Sequence, residues 1–424
     1  MALTLVRILL IMNGLVREQI DGGCVRIIEI AKQWQKAGHD VHLMGSEQAA
    51  ASCEQWGFVP TLHTSSWRGG EGRWWLALHS ITVCLFLPLS LWRLRPDLIV
   101  TSHDQPYDVL PGVMLKIQRW TRVRLAVSVP MMMRWRFWRR KGPRWYNALA
   151  FLVAQRLSLL FAALFADRTL ALGRDTARQL RRTGFPMRRA AAVAAGVDLA
   201  GINAAVQRPV GMTYEVVSVG RLAASKGALD LMDAWQFVVA RNPDAKLAVI
   251  GDGPDGEAMK DRVKRYGLED RVDFLGPILD TTEKFRWISA SRLFALPSHE
   301  ESWSIAMGEA MALGTPVVAY DLPELLEVWG DAFHAVPEGD IPAFANAVSC
   351  LLADDAGRRE LVERGLARVS ELDWSVIAER ELQLLMGDLA GDDPLGVDPR
   401  LVASSTSRAT SDRPNPRAPD VAAD

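Results

Sequence analysis

A chain of 424 residues exceeds one ordinary core, and usual domain sizes predict two domains with a cleft between them. Its 49% hydrophobic and 23% charged residues exclude global disorder, while four scattered cysteines (Cys24, Cys53, Cys84, Cys350) without C-x-x-C or zinc spacing fit a reducing compartment and no structural metal. The net charge of -1 hides an asymmetry: residues 1–210 hold 28 Lys and Arg against 13 Asp and Glu, and the remainder holds 21 against 37, so the first half is expected to meet an anionic ligand or surface.

In chain order, residues 1–13 read as a strand and lack the charged n-region and cleavage site of a secretion signal, which predicts a cytoplasmic protein. Buried parallel strands should be short continuous apolar runs with helical stretches between them. The first half shows such runs near 8–12, 40–44, 97–101, 124–129 and 168–172. The second shows them near 214–219, 246–250, 271–275, 293–296 and 316–319. Residues 202–212, with Pro209 and Gly211, read as the linker. The boundaries expected are a first domain at 1–205, a second at 206–372, a C-terminal helix at 373–388 and a disordered tail at 389–424, where bulky apolar residues nearly vanish.

Two stretches stand apart. Segment 74–92 is almost wholly apolar over about a bilayer's span, yet it contains His79 and Pro88 and is flanked by Arg73, Arg93 and Arg95. A core or surface helix, an in-plane membrane helix and a true span are open; the strand that follows at once in βα rhythm favours the first. From Val109 to Ala166 there is no acidic residue, while basic residues such as Arg134, Arg136, Arg139, Arg140 and Lys141 alternate with Trp135, Phe137, Trp138, Trp145 and Tyr146. Arg with Trp suits a lipid headgroup interface. A solvated basic loop and a nucleic-acid groove use similar residues, and no nucleic-acid-binding motif supports the latter.

Chemistry concentrates in the second half. After a strand ending at Leu296, Glu301 lies in a loop and Glu309, eight residues on, in the following helix. Carboxylates there can accept hydrogen bonds from sugar and ribose hydroxyls, while backbone N–H groups at the helix start face an anion. After an earlier strand come Gly220-Arg221-Leu222 and Ser225-Lys226-Gly227. The Arg221 fork and the Lys226 point charge could balance a diphosphate without a metal. No convincing D-x-D site exists, since Asp392-Asp393 fall in the tail. Gly251-Asp252-Gly253-Pro254 follows another strand; its glycines let a ligand approach the backbone, or only make the turn.

Together these motifs resemble the group 1 glycosyltransferases (glycosyltransferase family 4), in the family's order over Gly220 to Ala319, with Phe274-Leu275-Gly276 among them. Weaker matches are Gly22-Gly23, Gly38-His39-Asp40-Val41, Ala166-Asp167, Gly196-Val197-Asp198 and Asp373-Trp374. The resemblance implies a GT-B fold: α/β, two Rossmann-like doubly wound parallel-sheet domains facing a cleft, with a C-terminal helix crossing back. It implies a retaining, metal-independent glycosyltransferase acting on a nucleotide diphosphate sugar, with no cofactor. Arg221 and Lys226 would hold the diphosphate, Glu309 the ribose, and Glu301 with the Ser302, Trp303, Ser304 and Ile305 backbone the donor sugar and its phosphate. Gly220, Gly251, Gly253 and Leu275 complete the donor side, and Gly22, Gly23 and His103 form the acceptor side. Glu301, Arg221, Lys226 and His103 would carry the reaction.

There are departures from the family pattern. Pro130 follows Val127-Ser128-Val129 where the family places a histidine, and His103, on its own cleft-facing loop, is the candidate replacement. Ser302 and Trp303 stand for the usual Gly and Phe, and Ala194-Ala195 for Pro-Asn. The acceptor expected is a lipid-linked or envelope glycan at the inner membrane face, reached through 109–166, with no nucleic acid bound. Two other readings remain open. A dinucleotide-dependent oxidoreductase would use Gly251 to Gly256 as G-x-G-x-x-G, although Pro254 and nearby acids suit a pyrophosphate poorly. A catalytically silent GT-B partner protein would account for Pro130.

Overall fold

Continuous apolar runs can be strands only where helices cover both faces, and two parallel sheets of that kind organise the chain. The computed structural model describes residues 5–13, 22–64, 91, 93–119, 123–132, 145–206 and 214–387. The first sheet holds β1 (Arg7–Met12), β2 (Asp40–Gly45), β3 (Thr61–Thr64), β4 (Leu98–Thr101), β5 (Arg124–Val129), β6 (Arg168–Leu172) and β7 (Ala190–Val193), ordered β3-β2-β1-β4-β5-β6-β7. The second holds β8 (Tyr214–Val219), β9 (Leu247–Ile250), β10 (Val272–Gly276), β11 (Ser291–Leu296), β12 (Val317–Tyr320) and β13 (His334–Val336), ordered β10-β9-β8-β11-β12-β13. In each the winding direction reverses once, between β1 and β4 and between β8 and β11, opening a crevice at the carboxyl ends of those strands.

The described helices of the first half are α1 (Gly22–Lys36), α2 (Glu47–Gln55), α3 (Pro106–Arg119), α4 (Trp145–Phe165), α5 (Gly173–Arg182) and α6 (Leu199–Val206). Those of the second are α7 (Ala228–Arg241), α8 (Gly256–Tyr266), α9 (Thr281–Ser289), α10 (Ile305–Ala312), α11 (Pro323–Trp329), α12 (Ile341–Ala353), α13 (Asp355–Val369) and α14 (Trp374–Met386). The C-terminal helix crosses back as expected. Trp34 of α1 donates its indole N–H to the Ala378 carbonyl at 2.8 Å, and Arg124 of β5 donates to the Leu385 carbonyl at 2.8 Å. Arg26 of α1 forms a fully buried ion pair with Glu381 and donates to the Ala194 carbonyl at 2.8 Å.

Three strands escape the sequence reading: β3, β7 and β13. All are terminal in their sheets and three or four residues long. The short edge strands β3 (Thr-Leu-His-Thr) and β13 (His-Ala-Val) carry no long apolar run, whereas β7 (Ala-Ala-Ala-Val) is apolar but alanine-rich, a composition that favours helix over strand. The stretch 202–212 is also corrected: its start is the last part of α6, where Ile202 and Ala205 are buried against Phe285 of α9. Most of segment 74–92, residues 133–144 of the basic stretch and the tail from 388 lie outside the described residues. Among the described residues no helix is long and apolar enough to cross a membrane.

Candidate functional site

The crevice between β8 and β11 brings two expected residues together. After β8 the chain passes through Gly220 to Lys226 and enters α7; after β11 it passes through Pro297 to Ser304 and enters α10. The Ser225 carbonyl accepts the N–H groups of both His299 and Glu300 at 3.0 Å. Lys226 donates to the Glu300 carbonyl at 3.0 Å and to Glu301 Oε1 at 2.7 Å. Gly227, at φ +64°, permits this approach, since a Cβ there would lie 1.7 Å from the Pro297 carbonyl oxygen. The Lys226 side chain stays 33% exposed while Glu301 is 8% exposed, so the ammonium keeps a solvent-facing side for an anion.

The other two expected side chains are placed differently. Glu309 accepts from Lys284 of α9 at 2.8 Å through Oε1, with both side chains largely buried, leaving Oε2 for a second donor. Arg221 is exposed and has no hydrogen bond or ion pair with another described residue. Thus Lys226 and Glu301 meet, Arg221 stands on the same loop as Lys226, and Glu309 is held by a cation the sequence reading missed. Trp303 turns its indole into the core, edge-on to Trp329 with ring centroids 6.0 Å apart, so only its backbone is available to a ligand. Its carbonyl accepts the Trp329 indole N–H at 2.8 Å. Ser304 begins α10 at φ 61°, a left-handed conformation costing a non-glycine residue roughly 1–2 kcal/mol, and Ile305 follows it into the helix.

The loop after β9 lies alongside. At Gly251, φ +137°, a Cβ would stand 1.9 Å from the Gly220 carbonyl oxygen, and one at Gly253 would stand 2.3 Å from that of Leu222. Leu222 and Asp252 join these loops through a 2.9 Å backbone hydrogen bond, and the Gly276 carbonyl, next to half-buried Leu275, accepts from Gly251 N–H at 2.9 Å. Loop-on-loop packing therefore accounts for both glycines without a dinucleotide, which removes the feature that motivated an oxidoreductase.

In the first sheet, the crevice between β1 and β4 holds His103. Its Nδ1 lies 3.1 Å from Ser102 Oγ and 3.9 Å from Asp108 Oδ2. Asp108 is wholly buried and accepts from Asn13 N–H at 2.7 Å and from Ser102 Oγ at 2.8 Å. Burial pushes the Asp108 carboxyl up to about 6, against the pull of His103 and these donors. Asp104, likewise buried and pushed up to about 6, accepts from Gln155 of α4 at 2.7 Å. Gly22 and Gly23 open α1, whose next residue, Cys24, places its sulfur 4.0 Å from both His103 ring nitrogens. Of the residues expected on the acceptor side, His103 thus lies against the residue that directly follows Gly22 and Gly23. Asn13, Asp104 and Asp108 were missed because nothing local marks them; only the β1–β4 crossover brings Asn13 to Asp108.

The halves face each other across the cleft. A Cβ at Gly173, after β6, would lie 3.6 Å from the Ser302 carbonyl oxygen. Arg178 of α5 pairs with Glu327 of α11, and Lys284 lies 6.0 Å from the Trp56 ring centroid.

Residues 20–200 match the family model described as Glycosyltransferase Family 4, and residues 213–354 the one described as Glycosyl transferases group 1. A phosphatidyl-myo-inositol mannosyltransferase of Mycobacterium leprae is 35% identical over 161 residues, which make up 38% of this chain and 42% of that protein. The chain therefore spans less than half the length of that curated relative. HepE of Anabaena, solved with UDP and glucose, superposes with a TM-score of 0.70 at 19% identity, covering 90% of this chain and 100% of that one. Sucrose-phosphate synthase of Thermosynechococcus elongatus gives 0.69 at 21% identity, covering 90% and 98%. Both likenesses are of fold.

Proposed function

We propose, because this chain belongs to the group 1 glycosyltransferases (glycosyltransferase family 4), that it transfers a sugar from a nucleotide diphosphate donor, with retention of configuration, to a lipid-linked or envelope glycan acceptor. The observation that carries this reading is the Lys226–Glu301 pair in the β8–β11 crevice of a GT-B architecture. Lys226 and Arg221 neutralise the diphosphate as it leaves, in the role a metal has elsewhere. Glu301 accepts hydrogen bonds from sugar hydroxyls, the backbone from Ser302 to Ile305 faces the sugar-bearing phosphate, and the free oxygen of Glu309 receives a ribose hydroxyl.

In the transfer, the bond from the anomeric carbon to the diphosphate oxygen breaks and a bond to the acceptor oxygen forms on the same face. The acceptor proton passes to an oxygen of the departing phosphate, so no protein base is required. His103, backed by Ser102 and Asp108, orients the acceptor hydroxyl from the opposite wall. The test is a panel of UDP-, GDP- and ADP-sugars read by thermal shift and donor hydrolysis. One nucleotide is expected to stabilise the chain and be hydrolysed slowly, and Glu309→Ala is expected to abolish both. Indifference to all three would refute the donor assignment. The relative's name, which carries phosphatidyl-myo-inositol, and the complex of HepE with UDP support a lipid-borne acceptor and a UDP donor as the first pair to try.

The acceptor reading carries a location. Val153, Leu157, Leu160 and Leu164 line one outward face of α4 at 48–60% exposure, with Arg156 beside them. No acid occurs from Val109 to Ala166. An apolar helix face amid basic residues suits lying in the plane of an anionic leaflet at the inner face of the plasma membrane. In vesicle flotation the protein is expected to prefer anionic over neutral liposomes, and Leu157→Asp with Leu160→Asp to remove most of that binding. Equal flotation with both lipids would exclude a peripheral membrane role.

A further inference from the structure

Beside the Lys226–Glu301 pair lies a cluster to which the reaction assigns no part. His299, two residues before Glu301, stands between two carboxylates: Nε2 is 3.0 Å from Asp230 Oδ2, and Nδ1 is 3.0 Å from Glu338 Oε1. The Tyr320 hydroxyl donates to the same Asp230 oxygen at 3.0 Å, and its ring centroid is 5.4 Å from that of His299. An ionised carboxylate only accepts hydrogen bonds, so both contacts form together only when both ring nitrogens carry protons. The geometry calls for an imidazolium.

The partners come from separate elements. Asp230 lies in the first turn of α7, three residues beyond Gly227; Tyr320 ends β12; Glu338 follows β13. His299 also donates its own backbone N–H to Ser225, directly before Lys226. One cation thus ties the loop bearing Glu301 to the helix that follows Lys226 and to the far edge of the sheet. Neighbouring charges are Arg262 of α8, acting on Asp230, and Asp340, acting on Tyr320. Asp321, whose carboxylate accepts the Glu338 N–H at 3.0 Å, completes the surroundings.

We propose that His299 is a positioning residue: as an imidazolium bridging Asp230 and Glu338, it holds the loop from Pro297 to Ser304 so that Glu301 and Lys226 present one surface to the donor nucleotide. This rests on the donor reading above. The hydrogen bond to Asp230, opposed by burial and helped by Glu338, raises the His299 pKa from 6.5 to about 9. A raised histidine pKa means that the contribution is fully present below 6.5 and is lost as pH rises through about 9. A neutral ring keeps one N–H and must release one carboxylate. Glu338, 50% exposed against 23% for Asp230, is the one to let go.

The experiment is calorimetric binding of UDP, GDP and ADP to the full chain across the alkaline range, beside nitrogen-15 NMR of the imidazole. In the unaltered protein both ring nitrogens are expected to be protonated at neutral pH, and nucleotide affinity to fall as pH passes about 9. His299→Gln keeps one donor without the charge; roughly tenfold weaker binding at neutral pH and no alkaline fall are expected, about 1.4 kcal/mol. Glu338→Gln, a mild change at an exposed site, is expected to move the alkaline fall to lower pH. If the unaltered protein binds a nucleotide while both variants match its affinity and pH profile, the positioning role is overturned and the donor reading survives. A neutral imidazole at neutral pH overturns it as well, whether or not His299→Gln folds. If no nucleotide binds the unaltered protein, the donor reading fails and takes this proposal with it.

Discussion

Lys226→Met is expected to lower kcat/KM for the preferred donor by roughly 100- to 1000-fold, that is by about 3–4 kcal/mol of transition-state stabilisation. Two losses combine. The ammonium's hydrogen bonds to a diphosphate are charge-assisted, worth about 1.5–3 kcal/mol each, and they strengthen as negative charge gathers on the leaving group. The second loss is internal: Glu301, at 8% side-chain exposure, has Lys226 as its ion-pair partner, and without that cation its carboxylate would repel the donor phosphates. Lys226→Arg should recover only part of the rate, because a longer, forked cation cannot reproduce both the 3.0 Å bond to the Glu300 carbonyl and the 2.7 Å bond to Glu301. Steady-state kinetics with the donor identified by the nucleotide panel decides the matter, and a loss smaller than about tenfold would remove Lys226 from the leaving-group site.

Arg26→Met is expected to cost about 3–5 kcal/mol of stability, because it leaves Glu381 ionised and alone in the interior. The pair is buried at 3% and 2% side-chain exposure and ties α1, which opens with Gly22 and Gly23, to the returning helix α14. Arg26 Nη1 and Glu381 Oε1 have no hydrogen-bond partner, so the pair is incompletely compensated. The double replacement Arg26→Met with Glu381→Leu should therefore recover most of the loss, since well-packed apolar side chains of similar volume match or exceed such a pair. Urea denaturation of the single and double variants measures both. A single variant within about 1 kcal/mol of the parent would mean that solvent or a shifted proton relieves the orphaned acid.

The two effects fall on different links between sequence and function. In the proposed reaction Lys226 acts where substrate meets protein, whereas Arg26 acts on the contact that fastens α14 to α1. Activity normalised to folded protein separates them: Lys226→Met should melt close to the parent, and Arg26→Met should retain its rate per folded molecule.

The sequence by itself determined the two-sheet architecture and the loops proposed to bind the donor. Both follow from local signals: apolar runs long enough to be buried on two faces, helical periodicity between them, and loops at strand ends bearing Gly220, Lys226 and Glu301. Because β8 and β11 flank the point where the winding of the sheet reverses, the loops after them become neighbours, and the meeting of Lys226 with Glu301 follows from that topology. Tertiary structure alone decided which distant groups answer one another. Glu309 takes Lys284 from 25 residues away, His299 takes Asp230 from 69 and Glu338 from 39, and Arg26 takes Glu381 from 355. Those pairings depend on how helices cross and how far each strand advances in register, and neither quantity leaves a periodic trace in composition. The left-handed turn at Ser304 and the edge strands β3, β7 and β13 were hidden for the same reason: packing around them, not their own residue pattern, imposes the conformation they adopt.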